Sequence, residues 1–318
     1  MNTSTSASTP SLTRSATAPE RILQRLDWQV VRRLDGLLQG DYRSLFYGYG
    51  VDFADLREYQ PNDDIRYIDW NVTARMNTPY IRQYVEDREI TAWFLLDLSP
   101  SVDFGTVQTQ IVKRSMLIDF VATLSRLLTR HGNRVGALFY SGRVDDAHRL
   151  RPDRIIPARG GRLQVLRLIH DLLNQPQLKH APLTDLSPLI DGGLHQIKRR
   201  ALVFVISDFI SAPGWERRLN LLSQRHEVLA VRLWDPRELD LPDVGPIVME
   251  DAETGEQLYV DTHDKKFRAR FAEAAQRREA ALGEAFKHAG VPVLSLSTED
   301  DLVRAIVRFA SLRRQRRK

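Results

Sequence analysis

Cysteine is absent from the 318 residues, which excludes disulfides, thiolate metal sites and a cysteine nucleophile, and fits a reducing compartment. Long apolar runs are absent too: the apolar stretches are strand-sized and broken by charge, short of the roughly 18 residues a membrane span needs. No transmembrane segment is therefore expected. Residues 1–18 are rich in Ser and Thr, carry Arg14 as their one charged side chain and lack an apolar core, so they read as a disordered leader and not a signal peptide. The default location is cytoplasmic. No G-x-x-x-x-G-K-[ST] loop occurs, which argues against ATP binding in the Walker manner. H-E-x-x-H and G-x-S-x-G are missing as well, and the lone residues His131, His170 and His226 read as helix-end or surface groups.

What is present is an ordinary globular composition, 42% hydrophobic, long enough for one large domain or two smaller ones. The formal charge of +5 is matched by the tail alone, where Arg313, Arg314, Arg316, Arg317 and Lys318 leave the body near neutrality. The tail reads as a solvated helix end ahead of any contact with nucleic acid, anionic lipid or an acidic partner.

Ile22, Leu23, Leu26, Val30, Val31, Leu34, Leu37 and Leu38 recur at helical spacing, with Gly40 as a stop signal. Between Tyr42 and Glu89, short aromatic and β-branched pieces separated by turn residues predict a small strand-containing module. Strands and amphipathic helices then alternate. Strands are expected over 91–98, 134–140, 201–207, 227–233 and 291–297. Helices are expected over 108–130, 162–174, 186–198, 215–225 and 264–289. A hairpin over 247–261 interrupts the rhythm, and Thr298-Glu299-Asp300-Asp301 reads as a capping-box variant before a last helix.

The chemistry concentrates at Asp97-Leu98-Ser99-Pro100-Ser101, directly after the apolar strand Trp93-Phe94-Leu95-Leu96. Carboxylate and hydroxyl oxygens suit Mg²⁺ or Mn²⁺, and open α/β sheets bind ligands at the carboxyl ends of their strands. Thr184, before a later helix, and Asp208, closing the strand 201–207, supply two more oxygens. The competing reading makes all of these local caps: Asp97 and Ser99 of the following turn, Thr184 and Asp208 of helices. Residue chemistry alone leaves the two level.

In order, spacing and strand context, Asp97, Ser99, Ser101, Thr184 and Asp208 resemble the metal-ion-dependent adhesion site (MIDAS) of von Willebrand factor A (vWA) domains. That resemblance implies direct cation contacts from Ser99 and Ser101, and from Thr184 directly or through water. It implies largely water-mediated contacts from Asp97 and Asp208, and a partner's Asp or Glu in the open position. The run from Phe53 to Trp70, followed by Ala74-Arg75, resembles the hallmark of the bacterial domain-of-unknown-function fifty-eight family, in which such a segment precedes a vWA-like domain. Ser207-Asp208-Phe209, Asp235-Pro236-Arg237-Glu238-Leu239 and Asp251-Ala252-Glu253-Thr254-Gly255 are similar to its downstream pattern. Asp52 and Asn62 stand where the family usually has Glu and Gly. The family's association with MoxR-type AAA+ ATPases implies an accessory role in assembly or maturation of a client complex.

The expectation is thus a doubly wound, mostly parallel α/β sheet, vWA-like and Rossmann-like, over residues 90–312, preceded by a leader (1–18) and an N-terminal helix with a small β module (19–89), and followed by the basic tail (313–318). Its function would be metal-dependent protein interaction without catalysis. Arg57, Glu58, Asp63, Asp64, Arg66, Asp69 and Arg75 are read as an ion-pair network folding the small module onto the sheet, with Trp70 as an anchor. Two rivals remain: a divalent-metal phosphoryl-transfer or hydrolytic enzyme, and a nucleic-acid binder using the tail.

Overall fold

The computed structural model describes residues 17–37, 55–61, 63, 65, 68–76, 78–83, 90–106, 111–145, 149–178, 181 and 184–308. The expected leader up to residue 16, Gly40, Asp64, Arg66 and the basic tail lie outside the described residues. The chain opens with α1 (Ala18–Leu26), a π-helical turn (Asp27–Val31) and α2 (Arg32–Leu37), followed by β1 (Asp55–Glu58), α3 (Trp70–Met76) and β2 (Tyr80–Gln83). Then come β3 (Thr91–Asp97), β4 (Gly105–Thr106), β5 (Ile111–Val112), α4 (Lys113–Arg130), β6 (Arg134–Tyr140), β7 (Arg154–Arg159), α5 (Arg162–Leu173) and α6 (Ser187–Gln196). The last elements are β8 (Leu202–Ser207), α7 (Trp215–Arg225), β9 (Glu227–Trp234), β10 (Pro246–Glu250), β11 (Gln257–Asp261), α8 (Lys265–Ala289) and β12 (Val293–Ser297), with a helical segment over 302–308.

Six strands form the central sheet in the order β12-β9-β8-β3-β6-β7. All pairings are parallel except the antiparallel β6–β7 edge. β3 lies mid-sheet, so both of its faces must be apolar. The period-2 pleat sends Ala92, Phe94 and Leu96 into one layer with Leu23 of α1, Phe120 of α4, Leu168 of α5 and Ile306. Trp93 and Leu95 enter the opposite layer with Leu189 of α6, Leu219 of α7 and Phe286 of α8. This is the expected doubly wound α/β class. Helix α6 packs closely because it carries Gly192 and Gly193: a Cβ on Gly193 would stand 2.7 Å from Leu95 Cδ2.

Three local expectations are corrected. α4 begins at Lys113 and not at 108, because the β4–β5 hairpin occupies the preceding stretch. β7 was not expected; it is short, polar and interrupted by Pro157, which an edge strand tolerates. The last helical segment is capped by Asp301, whose Oδ1 accepts the Val303 and Arg304 N–H groups (2.8 and 3.1 Å), while the Thr298 hydroxyl turns to Asp235 Oδ2 (2.7 Å).

In the small module β1 and β2 pair antiparallel, and Asp69 Oδ1 caps α3 through the Asn71 and Val72 N–H groups (3.0 and 3.2 Å). Arg57 grips Asp63 with two nitrogens (2.8 and 2.6 Å), an ion pair inside the module and not a bridge to the sheet. Trp70 is 70% exposed, so the anchoring role expected of it is not seen.

Candidate functional site

The next strand of the central sheet along the chain, β6, lies on one side of β3, and β8 lies on the other. A crevice opens at such a switch point, outside the carboxyl ends of the strands. β3 ends there on Asp97, and β8 ends on Ser207 immediately before Asp208.

Asp97 is fully buried, and each of its oxygens holds a neighbour in place. Oδ1 accepts the Ser99 N–H (3.0 Å) and Oδ2 accepts the Ser207 hydroxyl (2.6 Å). Burial, and then the nearby Asp208 charge, push the Asp97 carboxyl up to about 6 despite those bonds. The buried Ser99 and Ser101 hydroxyls lie 3.1 Å apart at the start of the 3-10 turn Pro100–Asp103. Arg114 braces this turn, pairing with Asp103 and donating to the Leu98 carbonyl (3.0 Å).

Asp208 leaves β8 through a sharp turn. Phe209 adopts φ +59°, a left-handed conformation costly for a non-glycine residue, and is held there by its N–H to Ser207 Oγ (2.8 Å) and by its ring against Trp215 and Phe286 (5.1 and 4.8 Å between centroids). The turn presents Asp208 Oδ1 to the Ile210 N–H (3.0 Å) and Oδ2 to Lys113 Nζ (2.8 Å). The Lys113 ammonium, 1% exposed, also reaches Glu238 Oε1 (2.5 Å). Burial works to lower the Lys113 pKa, but the Asp208 and Glu238 charges outweigh it and hold the ammonium above its ordinary value.

Thr184, 1% exposed, is stitched to the same edge: its carbonyl accepts the Ala212 N–H (2.8 Å), and the Leu186 N–H donates to Ser211 Oγ (3.0 Å). The Thr184 N–H donates to Glu253 Oε2 (3.0 Å), and its buried hydroxyl has no hydrogen-bond partner among the described residues. Nearby, the buried Tyr140 hydroxyl is raised by burial and then by the Asp97 and Asp185 charges.

Asp97, Ser99, Ser101 and Asp208 lie at or just beyond the carboxyl ends of the neighbouring strands β3 and β8, and the Thr184 loop is bonded to the segment that follows Asp208. The capping reading accounts for only part of this. Asp185 Oδ1, not Thr184, accepts the Ser187 N–H (2.8 Å) at the start of α6, and α7 begins seven residues beyond Asp208 after Gly214. The Ser99 hydroxyl faces Ser101 and makes no cap bond. Among the described residues no cluster of three or more His, Cys, Asp or Glu side chains is placed to hold a metal; the donors here are two carboxylates and three hydroxyls. That set is all oxygen, as a hard divalent ion requires, and each Asp oxygen already used keeps a further lone pair for a coordinated water.

Residue patterns did not single out Lys113 or Tyr140, and gave Ser207, Glu238 and Glu253 no role beyond their place in the family pattern. Lys113 finds its carboxylates 95 and 125 residues further along the chain, a separation no local pattern reports. Ser207 was legible as a strand end, since the serine before Asp208 is buried with the apolar run.

A family model described as "Protein of unknown function DUF58" matches residues 55–281. The chain is 38% identical over 293 residues to "Uncharacterized protein Rv1480" of Mycobacterium tuberculosis, covering 92% of this chain and 89% of that one. It is 37% identical over 160 residues to "Uncharacterized protein MAV169" of Mycobacterium avium, covering 50% and 94%. Among solved structures, BatB from Bacteroides thetaiotaomicron is similar at TM-score 0.44 and 12% identity, over 71% of this chain and 99% of that one. An aerotolerance-related membrane protein from Bacteroides fragilis is similar at TM-score 0.45 and 13% identity, with the same coverage.

Proposed function

We propose that this chain, which belongs to the DUF58 family, holds a divalent cation of the Mg²⁺ or Mn²⁺ type at the β3–β8 edge and through it captures a carboxylate of a partner protein. One observation carries the reading: the buried Thr184 hydroxyl, without a hydrogen-bond partner among the described residues, belongs to a loop bonded to the segment after Asp208, and the neighbouring strand ends on buried Asp97 and the Ser99–Ser101 hydroxyl pair. In this reading Ser99 and Ser101 contact the ion directly, Thr184 does so directly or through water, and Asp97 and Asp208 orient coordinated waters. The MIDAS resemblance supports that division of roles. The MoxR-type AAA+ ATPase and client complex that the family resemblance implies belong to the same proposal.

The site binds and does not react. A hydrolytic serine needs a base, whereas the Ser99 and Ser101 hydroxyls face each other. The test is affinity capture with wild type and Ser99→Ala in Mg²⁺ or EDTA. Capture of a partner should require both Mg²⁺ and Ser99; undiminished capture in EDTA would overturn the proposal.

A further inference from the structure

Two basic side chains, Lys113 and Arg114, open the 18-residue helix α4, and its first turn holds no acidic residue. Both are buried, so each is held there against the positive end of the helix dipole and against the loss of water. Arg114 has a local task, bracing the Asp103 turn. Lys113 reaches further. Its N–H donates to the Phe104 carbonyl (3.0 Å), its ammonium lies 5.7 Å from the centre of the Phe104 ring, and its Nζ bridges Asp208 Oδ2 (2.8 Å) and Glu238 Oε1 (2.5 Å). Glu238 is fixed from behind: Asp235 Oδ1 accepts the Arg237 N–H (2.9 Å) in the turn Pro236–Glu238, and Arg278 of α8 donates to the Glu238 carbonyl (2.9 Å). Asp97, close enough to Asp208 to feel its charge, takes its bonds from neutral donors, the Ser99 N–H and the Ser207 hydroxyl. Asp208 is thus the carboxylate common to the expected cation ligands and to the ammonium. A divalent ion arriving there meets Lys113 as a like charge, and Glu238 is the second carboxylate on which that charge can rest.

We propose that Lys113 is the chain's own rival for the divalent cation: its ammonium holds Asp208 while the ion is absent and rests on Glu238 alone once the ion is bound, so that Glu238 is a positioning residue for the site. The proposal rests on the cation reading above. It gives the two partners of one buried ammonium opposite parts. Asp208 turns to the waters of the ion with an oxygen freed from Lys113, and the Glu238 turn keeps the displaced charge in place. A triad that served stability alone would keep both of its bonds when the ion binds.

The test uses the full chain and Mn²⁺ alone, titrated calorimetrically into wild type, Ser99→Ala, Lys113→Met, Glu238→Gln and the double variant of Lys113→Met with Glu238→Gln. Wild type should bind Mn²⁺ and Ser99→Ala should not. Lys113→Met, shown to be folded by circular dichroism, should bind at least about tenfold more tightly, since a like charge has left the site. Glu238→Gln should bind at least about tenfold more weakly in the wild-type background and have little effect in the Lys113→Met background, because it acts through the ammonium. A readout that needs no variant decides the matter if Lys113→Met does not fold. In ¹³C,¹⁵N-labelled protein, the scalar coupling across the hydrogen bond from Lys113 Nζ to the Asp208 carboxylate should vanish when Mg²⁺ is added, while the coupling to Glu238 persists. Persistence of both couplings in protein that binds Mn²⁺ and loses it in Ser99→Ala, or no gain in affinity in a folded Lys113→Met, would overturn the rivalry and leave the cation site standing. Failure of wild type to bind Mn²⁺ would overturn both.

Discussion

Asp97 and Lys113 carry opposite electrostatic burdens at the residue scale. With its carboxyl pushed up to about 6, Asp97 is a buried charge at neutral pH that the metal-free fold must tolerate. Asp97→Asn should therefore stabilise the protein in EDTA at alkaline pH by on the order of 2 kcal/mol, and should abolish the added stability that Mg²⁺ gives wild type. Thermal melts with and without Mg²⁺ check both halves. Lys113→Met leaves the buried Asp208 and the part-buried Glu238 without their ammonium, and urea denaturation should show a loss of about 3–5 kcal/mol in EDTA. The positions of Asp97, Ser99, Ser101 and Asp208 were legible in the sequence because each closes or follows an apolar strand. Lys113 was not, because its role exists only in tertiary contact.

Element placement follows from how each segment meets its neighbours. The central strands and the long helices were legible because their apolar spacing matches a layer they must face, as with Phe94 and Leu96 on one side of β3 and Leu95 on the other. β7 was not legible: its one deeply buried residue, Ile156, sits between an exposed Ile155 and Pro157, so no alternation marks it. The onset of α4 was missed because Ile111 and Val112 extend an apolar pattern that the backbone uses for a hairpin. Helix α6, which begins just after Thr184, depends on its glycines for its distance from the sheet. Gly193→Ala should cost about 1–3 kcal/mol through its clash with Leu95, despite the gain of up to about 1 kcal/mol in helix propensity; chemical denaturation reads the net sign.

For the whole molecule, two buried groups set opposing limbs of the pH–stability profile. The Asp97 carboxyl is raised, so its contribution is most favourable below the ordinary carboxylate range and is lost as pH rises through about 6. Burial, with Arg225 and Arg200 beside it, lowers the pKa of His226, whose two ring nitrogens have no hydrogen-bond partner among the described residues. The unfolded imidazole therefore takes a proton first, and stability is lost as pH falls below about 6.5. Melting temperatures across the acid-to-alkaline range in EDTA should show Asp97→Asn gaining mainly at the alkaline end and His226→Leu mainly at the acid end; gains independent of pH would refute both assignments. Among the described residues no helix is long and apolar enough to cross a membrane, consistent with the strand-sized apolar runs in the sequence.

The most direct measurement is a crystal structure of the full chain grown with Mn²⁺, with the ion located by its anomalous signal. A single strong peak at bonding distance from the Ser99 and Ser101 hydroxyls, beside Thr184, is the predicted result. A map with no peak at the carboxyl ends of β3 and β8, where the Lys113 ammonium keeps its bond to Asp208, would contradict the account.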